Sequence, residues 1–328
     1  MPKVRIKQIE QIQASDIYLE KDLLITSKVG EIQAFDQGKN YATITAVKPD
    51  GSRKSLQNVL EEIFSKDSQP TVSNPKVTLM RHGVNGDTLD DDRYVEAGTI
   101  VEFGEIPLRF NQGSYQFGPD TQCEPLKAHF ARVLNGEEAS YENVDFDART
   151  ANLPAGSISV NLGKDTDLYV KAYADYTEGQ RPMTQLGNPA EAELTIQAGS
   201  TDPVVTKHIR GYLKYFHGAS EKAGIDIDGG WIRTLTHSKT PVTPGAKMTL
   251  RATESTKAFV VAVPNSERGK ASISALLTTS MNADISSNFK ESRMMVKDAG
   301  GNEHEYTAFV FQPDQVQGNE VIDITINY

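Results

Sequence analysis

One phrase recurs four times in this chain. An alternating apolar stretch ends in a small residue or proline, then glycine, then another small residue, and a new alternating stretch begins. The copies are Val95-Glu96-Ala97-Gly98-Thr99, Leu153-Pro154-Ala155-Gly156-Ser157, Ile196-Gln197-Ala198-Gly199-Ser200 and Val242-Thr243-Pro244-Gly245-Ala246. Glycine reaches backbone angles that other residues avoid, so a glycine beside a small residue marks a turn or bulge between strands. A phrase that keeps returning commits the chain to β-structure. By itself it carries no chemistry.

The 328 residues exceed one ordinary sandwich and suit two or three domains. Twelve Tyr, twelve Phe and many Val, Ile and Thr lean toward strands. A net charge of −10, with Lys and Arg spaced singly or in pairs, argues against a nucleic-acid partner, which calls for a basic patch. The single cysteine, Cys123, leaves no internal disulfide to depend on an oxidising compartment. Met1-Pro2-Lys3-Val4-Arg5 shows no secretory pattern, so synthesis in a cytoplasm is expected. The longest apolar run, Ala258 to Val263, is far too short to span a bilayer as a helix, so no membrane partner is expected.

The pattern along the chain predicts a mainly β protein. A small N-terminal α+β anchor domain (1–67) precedes a linker (68–75), a β-sandwich (76–199) and a second β-sandwich domain (200–328), Ig-like or jelly-roll-like. In the anchor, Tyr41 to Val47 alternates, Pro49-Asp50-Gly51 turns, and a helix is predicted over 55–66. Leu56, Val59, Leu60, Ile63 and Phe64 fall on one face of it, with Ser55 as N-cap. That face serves the small domain's core or a subunit contact. Proline and polar residues from Asp67 to Pro75 read as the linker.

The middle segment offers strands at Val77–Leu79, Thr99–Phe103, Ile158–Leu162 and Leu168–Tyr176, and alternation again at Ala192, Leu194 and Ile196. Short strands with turn signals at this spacing point to a sandwich. Residues 125–134 fit a helix or a strand, and the β surroundings favour strand. The last segment alternates at Ile209 to Tyr215, Met248 to Ala252, Phe259 to Val263, Phe309 and Phe311, and Ile322 to Ile326. Ile273, Leu276 and Leu277 predict a short helix.

Chemistry-bearing motifs are sparse. Arg81-His82-Gly83 after a strand is the phrase of histidine phosphatases, in which the His takes a phosphoryl group and the Arg holds its oxygens. The acidic run Asp87, Asp90, Asp91 and Asp92 would repel phosphate, and no helical crossover follows. With Asn85 these residues offer oxygen ligands to calcium but lack EF-hand spacing, as do Asp226 and Asp228, so both read as solvated acidic loops. No two of the six histidines lie at i, i+2, i+3 or i+4, and Cys123 has no local partner, which argues against a zinc site. Cys123 reads as a small buried hydrophobe. No phosphate-binding loop is present. No catalytic, cofactor-binding or metal residues, and no cofactor, are therefore expected. The long stretch from Gly218 to Thr243, with its entry, carries His217, Trp231, Arg233 and His237 and reads as a binding loop for a host glycan or receptor.

Several runs also resemble a module of tailed-phage virion proteins, above all the fibre and decoration proteins of crAss-like and related gut phages. They are Tyr173-Ala174-Asp175-Tyr176-Thr177-Glu178-Gly179-Gln180-Arg181-Pro182, Leu186-Gly187-Asn188-Pro189, the Ala198-Gly199-Ser200 turn, and Arg210-Gly211-Tyr212-Leu213-Lys214-Tyr215-Phe216-His217-Gly218. The Gly38-Lys39-Asn40-Tyr41 strand, the Ser55 helix and the Pro70-Thr71-Val72 linker are similar too. The resemblance covers most of the chain and rests on structural phrases. It implies a non-enzymatic bacteriophage structural protein on the virion's capsid surface, made in the host bacterial cytoplasm. On that reading it is a head fibre, anchored to capsid or auxiliary capsid proteins through its N-terminal segment and assembled with other fibre subunits as a homotrimer. The alternatives are a tail-associated fibre or host adhesin and, remotely, the phosphatase-like enzyme.

Overall fold

The computed structural model describes residues 23–24, 43–44, 67–223, 226–265, 271–314 and 318–327. The predicted helix at 55–66, with Leu56, Val59, Leu60, Ile63 and Phe64, lies outside the described residues. The described chain is mainly β, with sandwich-like sheets.

Two compact units divide it. One comprises Met1–Thr71, Gln116–Pro119 and Pro182–Glu191; the other comprises Val72–Tyr115, Asp120–Arg181 and Ala192–Tyr328. In the first, Leu23–Leu24 pairs antiparallel with Thr43–Ile44. The Pro182–Glu191 segment folds back on itself through a bridge between Met183 and Pro189. Asp67 ties it down, accepting from the Leu186 N–H at 3.2 Å and the Asn188 side-chain amide at 3.0 Å.

The second unit holds two sandwich-like bodies. In the first body, an eight-stranded sheet has the backbone order Glu137–Glu138, Pro125–Leu134, Asp167–Tyr176, Ile209–Tyr212, Arg93–Glu96. Asp167–Tyr176 is its spine. Leu168, Val170, Ala172 and Ala174 point inward and are fully buried, while Tyr169, Lys171, Tyr173 and Asp175 take the other face, as strict alternation requires. Opposite lie the three-stranded sheet Thr150–Leu153, Ile106–Asn111, Lys76–Leu79 and the pair Ser159–Asn161 with Ile100–Glu102. Ile106, Leu108, Phe110, Val101 and Val160 complete the core from that side.

In the second body, a five-stranded sheet runs Thr236–His237, Phe216–Ser220, Ala258–Pro264, Glu303–Phe311, Lys290–Lys297. A four-stranded sheet runs Lys247–Arg251, Val321–Asn327, Ser272–Leu277, Ala283–Asp284. Between them pack Phe259, Val261, Met248, Leu250, Ile322, Ile324 and Ile326. Every residue of Ala258–Pro264 is buried, because its second face is covered as well: Val260 and Ala262 pack with Phe216, Ile232, Val296 and Tyr306. A central strand covered on both sides reads as a continuous apolar run rather than an alternation.

The recurrent glycine phrase is a recurrent backbone device at three of its four sites. Gly98, Gly156 and Gly245 have φ of +82°, +79° and +80°. Each follows Ala or Pro, and each turn closes with an i to i+3 bond: Thr99 N–H to Glu96, Ser157 N–H to Pro154, Ala246 N–H to Thr243. A positive φ at the third position is the mark of a type II turn, for which glycine is the natural choice. Each glycine N–H also reaches across to another strand region, at Leu162, Phe103 and Ile326 respectively. The fourth copy differs. Gly199–Ser200 is a short strand pairing with Tyr176 and Asp175.

The segment 125–134 is a strand, Pro125–Leu134, paired along its length with Asp167–Tyr176. Ile273, Leu276 and Leu277 lie in a strand, Ser272–Leu277, and not in the short helix predicted; Ile273 faces Ile326 and Ala275 faces Ile324. Pairing to the Val321–Asn327 strand outweighs a local spacing that also suits a helix. Ala192–Leu194, expected to alternate as a strand, is a single 3-10 turn closed by Thr195 N–H to Ala192. The stretch 68–75, read as linker, contains the strand Val72–Ser73 paired with Ser114–Tyr115. Ile209–Tyr212 belongs to the first body's sheet, so the chain passes to the second body at 213–215, beyond the 199/200 division read from the Gly199 turn.

Candidate functional site

A buried polar assembly of the second unit lies where the two bodies meet. It is built on the first glycine turn. Arg93–Glu96 ends in that turn, and Glu96 sits at its first corner with its side chain only 10% exposed. Arg233 Nη1 approaches one carboxylate oxygen at 2.6 Å and Lys214 Nζ the other at 2.7 Å. Burial pushes the Glu96 carboxyl up, but the hydrogen bonds and charges of Arg233 and Lys214 outweigh it and hold the group below the usual range. Arg233 also donates to the Lys297 carbonyl.

Beside this triad the backbones touch. A Cβ at Gly98 would lie 2.2 Å from Gly300 N and 2.5 Å from Asp298 Oδ1, so only glycine fits. The Ala299 N–H donates to the Ala97 carbonyl at 3.0 Å. The 298–302 turn that makes this contact is itself braced. The Asp298 side chain, 2% exposed, accepts from the Gly300 and Asn302 N–H groups at 2.9 Å and contacts His304 Nε2 at 2.9 Å. Burial raises its carboxyl, and the bonds from His304, Asn302 and Gly300 more than offset that, leaving it lowered. Tyr212 O–H donates to the Ser238 carbonyl and Tyr306 O–H to the Lys214 carbonyl, pinning both sides of the 213–215 crossover.

Of the four residues expected to form a binding loop, Arg233, Trp231 and His217 take part in packing. Arg233 belongs to the joint. Trp231 lies in a short helix, Gly229–Ile232, capped by Asp228, whose carboxylate accepts from the Trp231 N–H at 2.7 Å. Trp231 and Leu235, with the fully buried Ile232, cover the outer face of the five-stranded sheet. His217 lies on Phe216–Ser220, pairing with Val261 and Thr236, and burial pushes its imidazole below the usual range. His237 is exposed on the edge strand Thr236–His237.

The weighed chemical motifs resolve into local structure. Arg81 pairs with Asp90 at 3.6 Å, both largely exposed, and His82 Nδ1 contacts the Met80 carbonyl at 2.9 Å. Asp92 accepts from the His208 N–H and pairs with Arg210. His129 is held between Asn143 and Asp175, and Asp175 also accepts from the Ser200 hydroxyl at 2.6 Å. In this relay the carboxylate is central and the serine donates to it, so the histidine does not contact the hydroxyl it would have to activate. Cys123 is buried, and burial raises its thiol. Among the described residues no group of three or more His, Cys, Asp or Glu is placed to hold a metal ion, and no helix is long and apolar enough to cross a membrane.

No family model and no curated protein sequence matches this chain.

Proposed function

We propose that the chain is a non-enzymatic structural protein of a tailed-phage particle, a head fibre that stands on the capsid through its N-terminal segment. The observation that carries the reading is the joint. A Glu96–Arg233–Lys214 triad, a glycine-on-glycine backbone contact and a braced 298–302 turn fix one sandwich against the next. Loose linkers between domains permit relative motion; a joint like this one resists it, as a spacer needs. The polar clusters point the same way. His129, His208 and His304 are each bonded to a carboxylate that ties strands or turns together. The resemblance of the Tyr173–Pro182 and Arg210–Gly218 runs to phage fibre and decoration proteins supplies the setting. On this reading the partners are capsid or auxiliary capsid proteins and two further copies of the chain, and the site of action is the capsid surface.

Deleting residues 1–66 tests the anchor. The expected protein unfolds with the same principal transition as the full chain but no longer decorates purified heads. Decoration by the truncated protein would overturn the assignment of attachment to this segment.

A further inference from the structure

The first sandwich carries a cleft of about 340 Å³ lined by Phe130, Arg132, Ala139, Ser140, Glu142, Ser157, Ile158 and Ser159. That is toward the lower end of small-ligand sites, which run from roughly 300 to 1000 Å³. Three strand regions build it. Along Pro125–Leu134 the buried Ala128 and Phe130 are followed, at the next position of that face, by the exposed Arg132. The 139–142 segment forms one wall. The other follows the second glycine turn, Pro154-Ala155-Gly156-Ser157, whose positive φ at Gly156 redirects the chain into Ser157–Ser159.

The polar groups of this cleft are uncommitted. Among the described residues, Arg132 and Glu142 have no side-chain hydrogen bond or ion pair, and they do not pair with each other. The hydroxyls of Ser140, Ser157 and Ser159 make no side-chain hydrogen bond there either. This contrasts with the neighbouring outer face, where His129, Lys171, Glu138 and Asp175 are all bonded. The walls are nevertheless held in place. The Ala139 N–H donates to the Arg132 carbonyl at 2.9 Å, and Phe103 N–H to the Ile158 carbonyl at 3.0 Å. Tyr141 lies edge-on to Tyr173 at 5.2 Å, and its hydroxyl donates to Glu138 at 2.7 Å. A backbone held in this way needs little rearrangement on binding.

We propose that this cleft binds a neutral saccharide of one or two rings. The chemistry selects that class. Glu142 disfavours phosphates, sulfates and uronic acids, and Arg132 disfavours cations and amines. A ligand that satisfies a guanidinium, a carboxylate and three hydroxyls at once carries both donors and acceptors, as a polyol does. Phe130, 1% exposed, and Ile158, 6% exposed, form the apolar floor of the cleft.

The full chain is tested on an array of neutral glycans, and the binders are titrated up to about 10 mM. The expected result is binding by at least one neutral glycan. Arg132→Ala and Glu142→Gln each weaken it about tenfold or more, because each removes hydrogen bonds to a charged group. Ser157→Trp, which fills the cleft from an exposed position, abolishes it. The melting temperature stays within a degree or so for the Arg132 and Glu142 variants, since surface changes are near neutral. No neutral glycan bound, binding confined to acidic sugars, or binding indifferent to all three variants would overturn the proposal.

Discussion

Gly98→Ala and Gly245→Ala form a matched pair that isolates the joint. Both glycines occupy the third position of the same turn, with φ of +82° and +80°. An alanine at either site therefore incurs the left-handed backbone penalty, about 1–2 kcal/mol. Their surroundings differ. Nothing lies within 4 Å of a Cβ at Gly245, whereas a Cβ at Gly98 meets Gly300 N at 2.2 Å and Gly300 Cα at 2.7 Å. Those atoms are backbone in a braced turn and cannot swing away like a side chain. Overpacking adds about 1–3 kcal/mol, and loss of the Ala299-to-Ala97 bond adds about 1 kcal/mol. The expected losses are about 1–2 kcal/mol for Gly245→Ala and about 3–6 kcal/mol for Gly98→Ala. Urea denaturation followed by tryptophan fluorescence and far-ultraviolet dichroism reads both. Trp231 reports the second body, and dichroism reports both. For Gly98→Ala the two probes should also separate, as the bodies unfold independently. Equal losses in the two variants, with coincident probes, would refute the argument that the turn locks the sandwiches.

The charges and burial of the second unit set further outcomes. Glu96→Gln should cost about 2–3 kcal/mol at neutral pH, less than a fully buried pair because Lys214 and Arg233 are 20% and 31% exposed. The lowered carboxyls of Glu96 and Asp298 contribute stability that is complete above their unfolded values near 4 and is lost as pH falls through their folded values. Thermal melts of the wild type should therefore fall steeply in acid, and those of Glu96→Gln less steeply; parallel curves would contradict the assignment. Ile232→Ala should lose about 2–4 kcal/mol and expose dye-binding apolar surface, because the 229–235 segment covers a core; a neutral effect would restore it as a free loop. Cys123 should resist thiol reagents until the chain unfolds, since burial raises its thiol and hides it.

Much of the β architecture was written in local pattern. The alternation of Asp167–Tyr176 matches its inner face residue by residue, whereas Phe259, Val261 and Val263 read as one alternating face of a strand that is covered on both sides. Asn85-Gly86 and Asn135-Gly136 are the strongest local hairpin signals in the described chain. Both pairs have positive φ and close hairpins between Gly83–Val84 and Asp87–Thr88 and between Pro125–Leu134 and Glu137–Glu138. Asn-Gly is the preferred two-residue hairpin turn. The glycine phrase was over-read at Gly199, where the same letters lie in a strand because Tyr176 offers a pairing edge. The joint was not legible. Glu96 and Arg233 are 137 positions apart, and no local spacing announces a pair made by folding. The cleft was hidden for the same reason: Arg132, Glu142 and Ser157 belong to separate strand regions and share no motif. Within Gly218–Thr243, Ile232, Leu235 and Trp231 also cover a core, which no local spacing announces.

The most direct test of the account is the position of the chain in an intact phage particle, by cryo-electron microscopy at a resolution that shows sheets. The account predicts paired sandwich density on the outside of the head, with the N-terminal segment against the capsid lattice and the joint in the same geometry in every copy. Density at the tail, or particles that lack the chain altogether, would contradict it.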